Sequence, residues 1–287
     1  MAIEKLDEFK KTLLAYAQLI RIKNCGIAAL SIFITAAMVL GEFGISVKIL
    51  YAAVAVAVIT AAGNIFNDYY DYVIDKINRP NRPIPSGKVR RSDAMMLSII
   101  LFLLGIAMAY NINKICFALA VLNSLILMAY ARYSKKMFLV SNFVVSYLIA
   151  SVFIFGSLAA AGDISRAKPV FVLAACAFLM TFSREITKDI EDVKGDKESG
   201  ARTLPICKGE ETAKTTAIVF SVFAVLLGFI PYIFEIIHNP LYYLILILAA
   251  DGIFIYSLMK PAKESQKLMV YGMLMALVAF FVGSIRI

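Results

Sequence analysis

The sequence contains no tryptophan, a single histidine, four cysteines and few charges, which make up 17% of its 287 residues. Each scarcity removes a class of function. His238 alone cannot build a histidine-based catalytic triad or a multi-histidine metal centre. Cys25, Cys116, Cys176 and Cys207 stand far apart with no C-x-x-C spacing, so neither a zinc site nor a disulfide framework is expected, and they read as small apolar fillers. The first 23 residues carry no signal-peptide apolar core or cleavage site and read as an amphipathic segment lying on a membrane surface.

What is abundant is apolar residue, at 61% of the chain, against a globular norm of roughly 45–50%. A soluble protein of this balance could not cover its own surface. Nearly charge-free stretches run over 24–41, 49–67, 94–113, 115–131, 137–162, 169–183, 215–234, 236–250 and 268–285, the sixth expected to continue through Arg184 and the eighth past Asp251. A membrane helix needs about 20 such residues. The stretches show no period-2 alternation, so they predict nine helices rather than barrel strands. The expected class is an all-α polytopic membrane protein with one domain over 1–287, built from pseudo-repeats at roughly 20–131 and 137–259 plus a last helix at 268–285.

The net charge of +9 follows from where the cations stand. With nine spans, 24 of the 29 Lys and Arg residues fall before the first span and in the even-numbered connections, while Lys48, Lys114, Arg166, Lys168 and Arg286 fall on the other side. Such a split is a positive-inside bias, not a nucleic-acid surface, and it predicts a cytoplasmic N-terminus and cytoplasmic long connections.

Those two long connections carry the chemistry. NIFNDYYDYVIDKINRPNRPIPSGKVRR begins at Asn64, and REITKDIEDVKGDKESGARTLPICKG begins at Arg184. Each contains D-x-x-D-x-x-x-D, as Asp68, Asp71 and Asp75 and as Asp189, Asp192 and Asp196, with the copies 121 positions apart. Each is followed by an arginine and a proline, Arg82 and Pro85, then Arg202 and Pro205. Two copies at one internal spacing mark an internal repeat. On a helix the three carboxylates fall within about 60° of one another over about 10 Å. Like charges so stacked repel, and a hard divalent cation relieves them. Two such faces could hold two Mg²⁺ ions around one diphosphate, with Asn67 as a further ligand and Arg79, Arg82, Lys88, Lys188 and Arg202 meeting the remaining phosphate charge. Asn64 reads equally as a ligand or as an interface residue.

At these residues the sequence resembles the UbiA superfamily of intramembrane prenyltransferases. NDYYDYVIDKINRPNRPIPSG matches its first signature from Asn67 to Gly87, and DIEDVKGDKESGARTLP is similar to the second. The resemblance implies a nine-helix bundle around a lipid-facing cavity capped on the cytoplasmic side. It also implies Mg²⁺ held by both acidic motifs, ionisation of an allylic diphosphate, and transfer of the prenyl group to an acceptor. Tyr133 and Lys135 are similar to the family's Tyr/Lys segment near the diphosphate, with Lys136 as the alternative lysine. Phe66, Tyr69, Tyr70 and Tyr147 could stabilise an allylic cation, packing being their plainer role.

The strings around both motifs resemble an archaeal branch more than the aromatic-acceptor branches. That branch transfers a geranylgeranyl group from geranylgeranyl diphosphate to the C2 hydroxyl of geranylgeranylglyceryl phosphate. Arg21 and Lys23 could serve the acceptor phosphate, or act as interfacial anchors. An aromatic acceptor of the 4-hydroxybenzoate type is the enzymatic alternative, and a divalent-cation transporter the non-enzymatic one. The expected partners are the prenyl diphosphate donor, a lipid-phosphate acceptor and membrane lipids, with no nucleic acid. Asp251, an acid inside the eighth span, reads equally as a functional group or a structural one.

Overall fold

The structure, a computed structural model, describes residues 2–133, 137–162, 168–198 and 200–286. Lys135, its alternative Lys136 and Arg166 lie outside the described residues. The elements are all helical: α1 (Ala2–Ile20), α2 (Ile22–Leu40), α3 (Val47–Tyr70), α4 (Tyr72–Asn78), α5 (Arg91–Tyr110), α6 (Lys114–Tyr133), α7 (Val140–Ala161), α8 (Lys168–Glu191), α9 (Val193–Glu198), α10 (Leu204–Lys208), α11 (Glu210–Gly228), α12 (Ile230–Ile233), α13 (Pro240–Leu258) and α14 (Ala262–Ser284). Among the described residues, nine segments are long and apolar enough to cross a membrane, as expected. The chain is a multi-pass membrane protein.

The span limits differ from the apolar stretches in instructive ways. Helices α3 and α8 run past their apolar stretches into the polar motifs, because backbone hydrogen bonding does not stop where hydrocarbon does. The seventh span is interrupted between α11 and α12, where Pro231 has no N–H to offer the Leu227 carbonyl.

The chain packs as two units, Met1–Ser31 with Val47–Tyr133, and Ile32–Ser46 with Ser134–Ile287. In the first unit α3 packs against α5 and α6. Gly105 permits the α3–α5 approach, since a Cβ there would lie 2.5 Å from Ile59 Cγ1 and 3.1 Å from the Ala55 carbonyl. Small residues at such crossings let membrane helices gain contact where lipid supplies no hydrophobic drive. Ser98 Oγ on α5 donates to the Ala62 carbonyl on α3 at 2.9 Å. Helix α1, expected to lie on a membrane surface, packs into the first unit: Ala15 and Leu19 are buried with Ile65, Ile84, Val89 and Ala94.

In the second unit α8 packs against α7, α11 and α14. Gly156 of α7 meets α2 so closely that a Cβ would stand 2.1 Å from Thr35 Oγ1. Ser183 Oγ donates to the Ala217 carbonyl of α11 at 2.7 Å. Tyr243, fully buried on α13, meets the Phe280 ring of α14 edge-on at 5.3 Å and donates its hydroxyl to the Gly228 carbonyl at 2.5 Å.

The two units share part of their order of elements. In each unit a long span ends at an acidic motif and a short helix follows, and a buried apolar residue then precedes the next span, in a loop in the first unit and at the start of α10 in the second. These residues are Ile84, packed with Ala15, Leu19 and Ala94, and Leu204, packed with Phe182, Ile186, Ala213 and Ala217.

Candidate active site

Both acidic motifs break their helix at the middle carboxylate. Asp71 separates α3 from α4, and Asp192 separates α8 from α9. The backbone hydrogen-bond ladder continues across the break. Asp71 N–H donates to the Asn67 carbonyl at 2.9 Å, and Asp75 N–H to the Asp71 carbonyl at 2.8 Å. The second motif repeats this, from Asp192 to Lys188 at 3.0 Å and from Asp196 to Asp192 at 2.9 Å.

The first motif is buried and bound by cations. Asp68, Asp71 and Asp75 are 3%, 7% and 5% exposed. Arg82 Nη1 donates to Asp75 Oδ2 at 2.6 Å and to Asp68 Oδ1 at 3.2 Å. Its position follows from the loop: the prolines restrict the chain, Ile84 and Val89 bury into the α1–α3–α5 cluster, and Gly87 turns at φ +76°. Arg21 supplies a second cation, donating through Nη2 to Asp68 Oδ1 at 2.8 Å and through Nη1 to Asn64 Oδ1 at 3.3 Å. Arg21 sits at φ +53° in the turn between α1 and α2. That left-handed conformation costs a residue with a Cβ about 1–2 kcal/mol, which the buried contacts around it must offset. Asn64 Nδ2 donates to the Ile20 carbonyl at 3.0 Å, tying the same turn to α3. Asn67 Nδ2 donates to Asp71 Oδ2 at 2.8 Å, so Oδ1 is the ligand atom Asn67 has to offer.

The second motif stands in a different environment. Asp189 and Asp196 are half-buried and Asp192 is exposed. Asn142, 3% exposed on α7, donates through Nδ2 to Asp189 Oδ2 at 2.8 Å. Glu185 engages Arg184 at 2.7 Å and Lys188 at 3.8 Å. Burial pushes the Asp196 carboxyl above the usual carboxylate range, the charge of Asp192 adds to that rise, and Lys188 opposes it. Gly200 stands at φ +72° beyond α9, and the Ala201 N–H donates to the Asp196 carbonyl at 2.9 Å.

Other expected residues are placed as follows. Lys23, Arg79, Lys88, Tyr133, Lys188 and Arg202 are exposed. Arg21, considered for an acceptor phosphate, is bonded to Asp68 and Asn64, and Arg82 is bonded to two acids of its own motif. The Tyr69 ring carries the Arg91 guanidinium 4.2 Å from its centroid, and Phe66 packs against Tyr70 and Phe102. Tyr147 is half-buried on α7. Asp251 is 4% exposed, and its Oδ2 is buried without a hydrogen-bond partner among the described residues. Asn142 escaped the sequence reading, although it stands 121 positions after Arg21, the offset that relates the motifs.

Among the described residues, no three His, Cys, Asp or Glu side chains form a ready cage for one ion. The donor set still fits Mg²⁺, which commonly binds through one or two carboxylates and completes its shell with substrate phosphates and water.

Known proteins resemble this chain over most of its length. The UbiA prenyltransferase family model matches residues 28–282. A Methanopyrus kandleri digeranylgeranylglyceryl phosphate synthase is 39% identical over 272 residues, covering 93% of this chain and 97% of that one. A solved structure concerning digeranylgeranylglyceryl phosphate synthase in membranes superimposes with a TM-score of 0.84 at 37% identity, covering 96% of this chain and 99% of that one. An Archaeoglobus fulgidus UbiA homologue solved with GPP and Mg²⁺ shares the fold, with a TM-score of 0.64 at 19% identity over 93% of this chain and 98% of that one. A match over most of the chain excludes the transporter reading, and the chain belongs to the UbiA prenyltransferase family.

Proposed function

We propose that this chain transfers a geranylgeranyl group from geranylgeranyl diphosphate to the C2 hydroxyl of geranylgeranylglyceryl phosphate, a step of archaeal ether-lipid synthesis. The observation that carries the proposal is the duplicated carboxylate motif at the ends of α3 and α8, in a chain 39% identical to a protein named for that product. The whole of 1–287 is read as one catalytic domain of two pseudo-repeats, with the N-terminus and both motifs on the cytoplasmic side.

Mg²⁺, as two ions in this reading, would be held by Asp68, Asp71, Asp75 and Asn67 and by Asp189, Asp192 and Asp196, supplying charge neutralisation for the leaving diphosphate. The structure of the A. fulgidus homologue with GPP and Mg²⁺ supports this ligand class. Arg79, Lys88, Lys188, Arg202, Lys23, Tyr133 and Lys135 serve the phosphates of donor and acceptor. Arg82 and Arg21 hold the first motif in shape before substrate arrives and are within reach of an anion once a cation replaces them at Asp68 and Asp75. The apolar spans keep water from the allylic cation until the acceptor hydroxyl attacks. The proton of that hydroxyl passes to an Asp of the motifs or to the departing diphosphate.

The test is an assay of purified protein with Mg²⁺ and radiolabelled geranylgeranyl diphosphate, offering geranylgeranylglyceryl phosphate and 4-hydroxybenzoate in parallel. Label in the lipid phosphate is the expected result. Label in the aromatic compound alone overturns the acceptor.

A further inference from the structure

The internal repeat reaches beyond the acidic motifs to the groups that hold them. Arg21 bonds Asp68 across 47 residues, and Asn142 bonds Asp189 across 47 residues, both at 2.8 Å. Both donors and both acceptors are therefore related by the same offset of 121. Each donor comes from an element outside the span that carries its acid: Arg21 from the α1–α2 turn and Asn142 from α7. The hydrogen bond is repeated and the charge is not. A guanidinium neutralises the carboxylate it binds, whereas a carboxamide orients it and leaves its charge in place. The difference is compounded at the next positions. Arg82 spans Asp68 and Asp75, while Arg202, the arginine that follows the second motif, is exposed. Arg21 also bonds Asn64, whose counterpart at the same offset is the acid Glu185, held by Arg184 and Lys188.

We infer that Arg21 and Asn142 are equivalent positioning residues whose difference in charge divides the cation affinity of the site. The second motif takes a divalent ion unaided, and the first takes one only when a diphosphate draws its arginines away. The inference rests on the metal reading proposed above and adds an order to it. In the first motif an incoming cation meets two bound guanidiniums and must displace them. In the second, Asp189 is held ready by a neutral donor, beside Asp192, which solvent reaches.

The experiment is a titration of the purified full chain with Mn²⁺ alone, following free Mn²⁺ by electron paramagnetic resonance. Asp192→Asn is expected to weaken binding on the order of tenfold, and Asp71→Asn by less than about twofold. Arg21→Gln is expected to strengthen binding or add a second site, an outcome that loss of structure cannot mimic. Arg21→Lys keeps the charge and should keep wild-type binding. Asn142→Lys, which gives the second repeat the charge of the first, should weaken binding on the order of tenfold. Equal weakening by Asp71→Asn and Asp192→Asn, or no gain in Arg21→Gln, overturns the inference and leaves the metal reading intact. A wild-type protein that binds no Mn²⁺ even with added pyrophosphate overturns the metal reading as well.

Discussion

Arg82 reaches back seven residues to bring Nη1 within 2.6 Å of Asp75 Oδ2. The same nitrogen lies 3.2 Å from Asp68, so one guanidinium joins the first and last acids of the first motif across the junction of α3 and α4. Removing one partner of a buried pair leaves the other charged group without compensation. Arg82→Ala is therefore expected to destabilise the protein by about 2–3 kcal/mol, below the range for full burial because Arg82 keeps 19% of its side-chain exposure. Thermal unfolding in detergent measures it. Mg²⁺ with pyrophosphate should recover part of the loss, and an unchanged melting temperature would refute the joining role.

The two middle aspartates should separate catalysis from stability. Asp192 is exposed, so Asp192→Ala should change unfolding free energy by no more than about 0.5 kcal/mol. Asp71 is buried and accepts from Asn67, so Asp71→Ala should cost stability as well. Both variants are expected to lower kcat by about a hundredfold or more. Normal turnover in either one would remove that residue from the metal set.

Chelation should abolish transfer in the wild-type protein, and Mg²⁺ should restore it. Turnover that persists in excess EDTA would contradict the assignment of the carboxylates as ligands.

Gly105 is a close approach of α5 to α3. Gly105→Val puts carbon where Ile59 and the Ala55 carbonyl already stand, and overpacking of this kind costs about 1–3 kcal/mol. Gly26→Ala, with nothing within 4 Å of the added Cβ, is the matched control. Equal melting temperatures for the two variants would show that the helices part freely.

Asp251 has a buried oxygen with no hydrogen-bond partner among the described residues. Replacing such a group by an apolar side chain of similar size is neutral or stabilising. Asp251→Leu should keep wild-type turnover and melt no lower than the parent. Loss of turnover with an intact fold would make Asp251 a working residue instead.

The spans were legible because hydrocarbon imposes a length, and uninterrupted apolar sequence of that length has few other uses. The motifs were legible because Asp68 and Asp189 begin the same eight-residue pattern. The partners of those acids were harder to see. Whether Arg21 faces phosphate or Asp68 depends on a left-handed turn at Arg21 and on how α1 seats Ala15 and Leu19, neither of which is a local property of the motif. Asn142 lay hidden in an apolar stretch, where a lone amide resembles any polar interface residue. The offset of 121 would have flagged it had the repeat been extended upstream to Arg21. The break before Pro231 was visible as a proline, but apolar content alone merged α11 and α12 into one span.

The backbone ladder that continues through Asp71 and Asp192 acts as a ruler. Inserting one residue between the second and third carboxylates of either motif would turn the last acid by about 100° and shift it by about 1.5 Å along the rod. No side-chain adjustment short of a new helix register could undo that, so the intervals of three and four are mechanical tolerances of the site, and length changes there should be harsher than most substitutions.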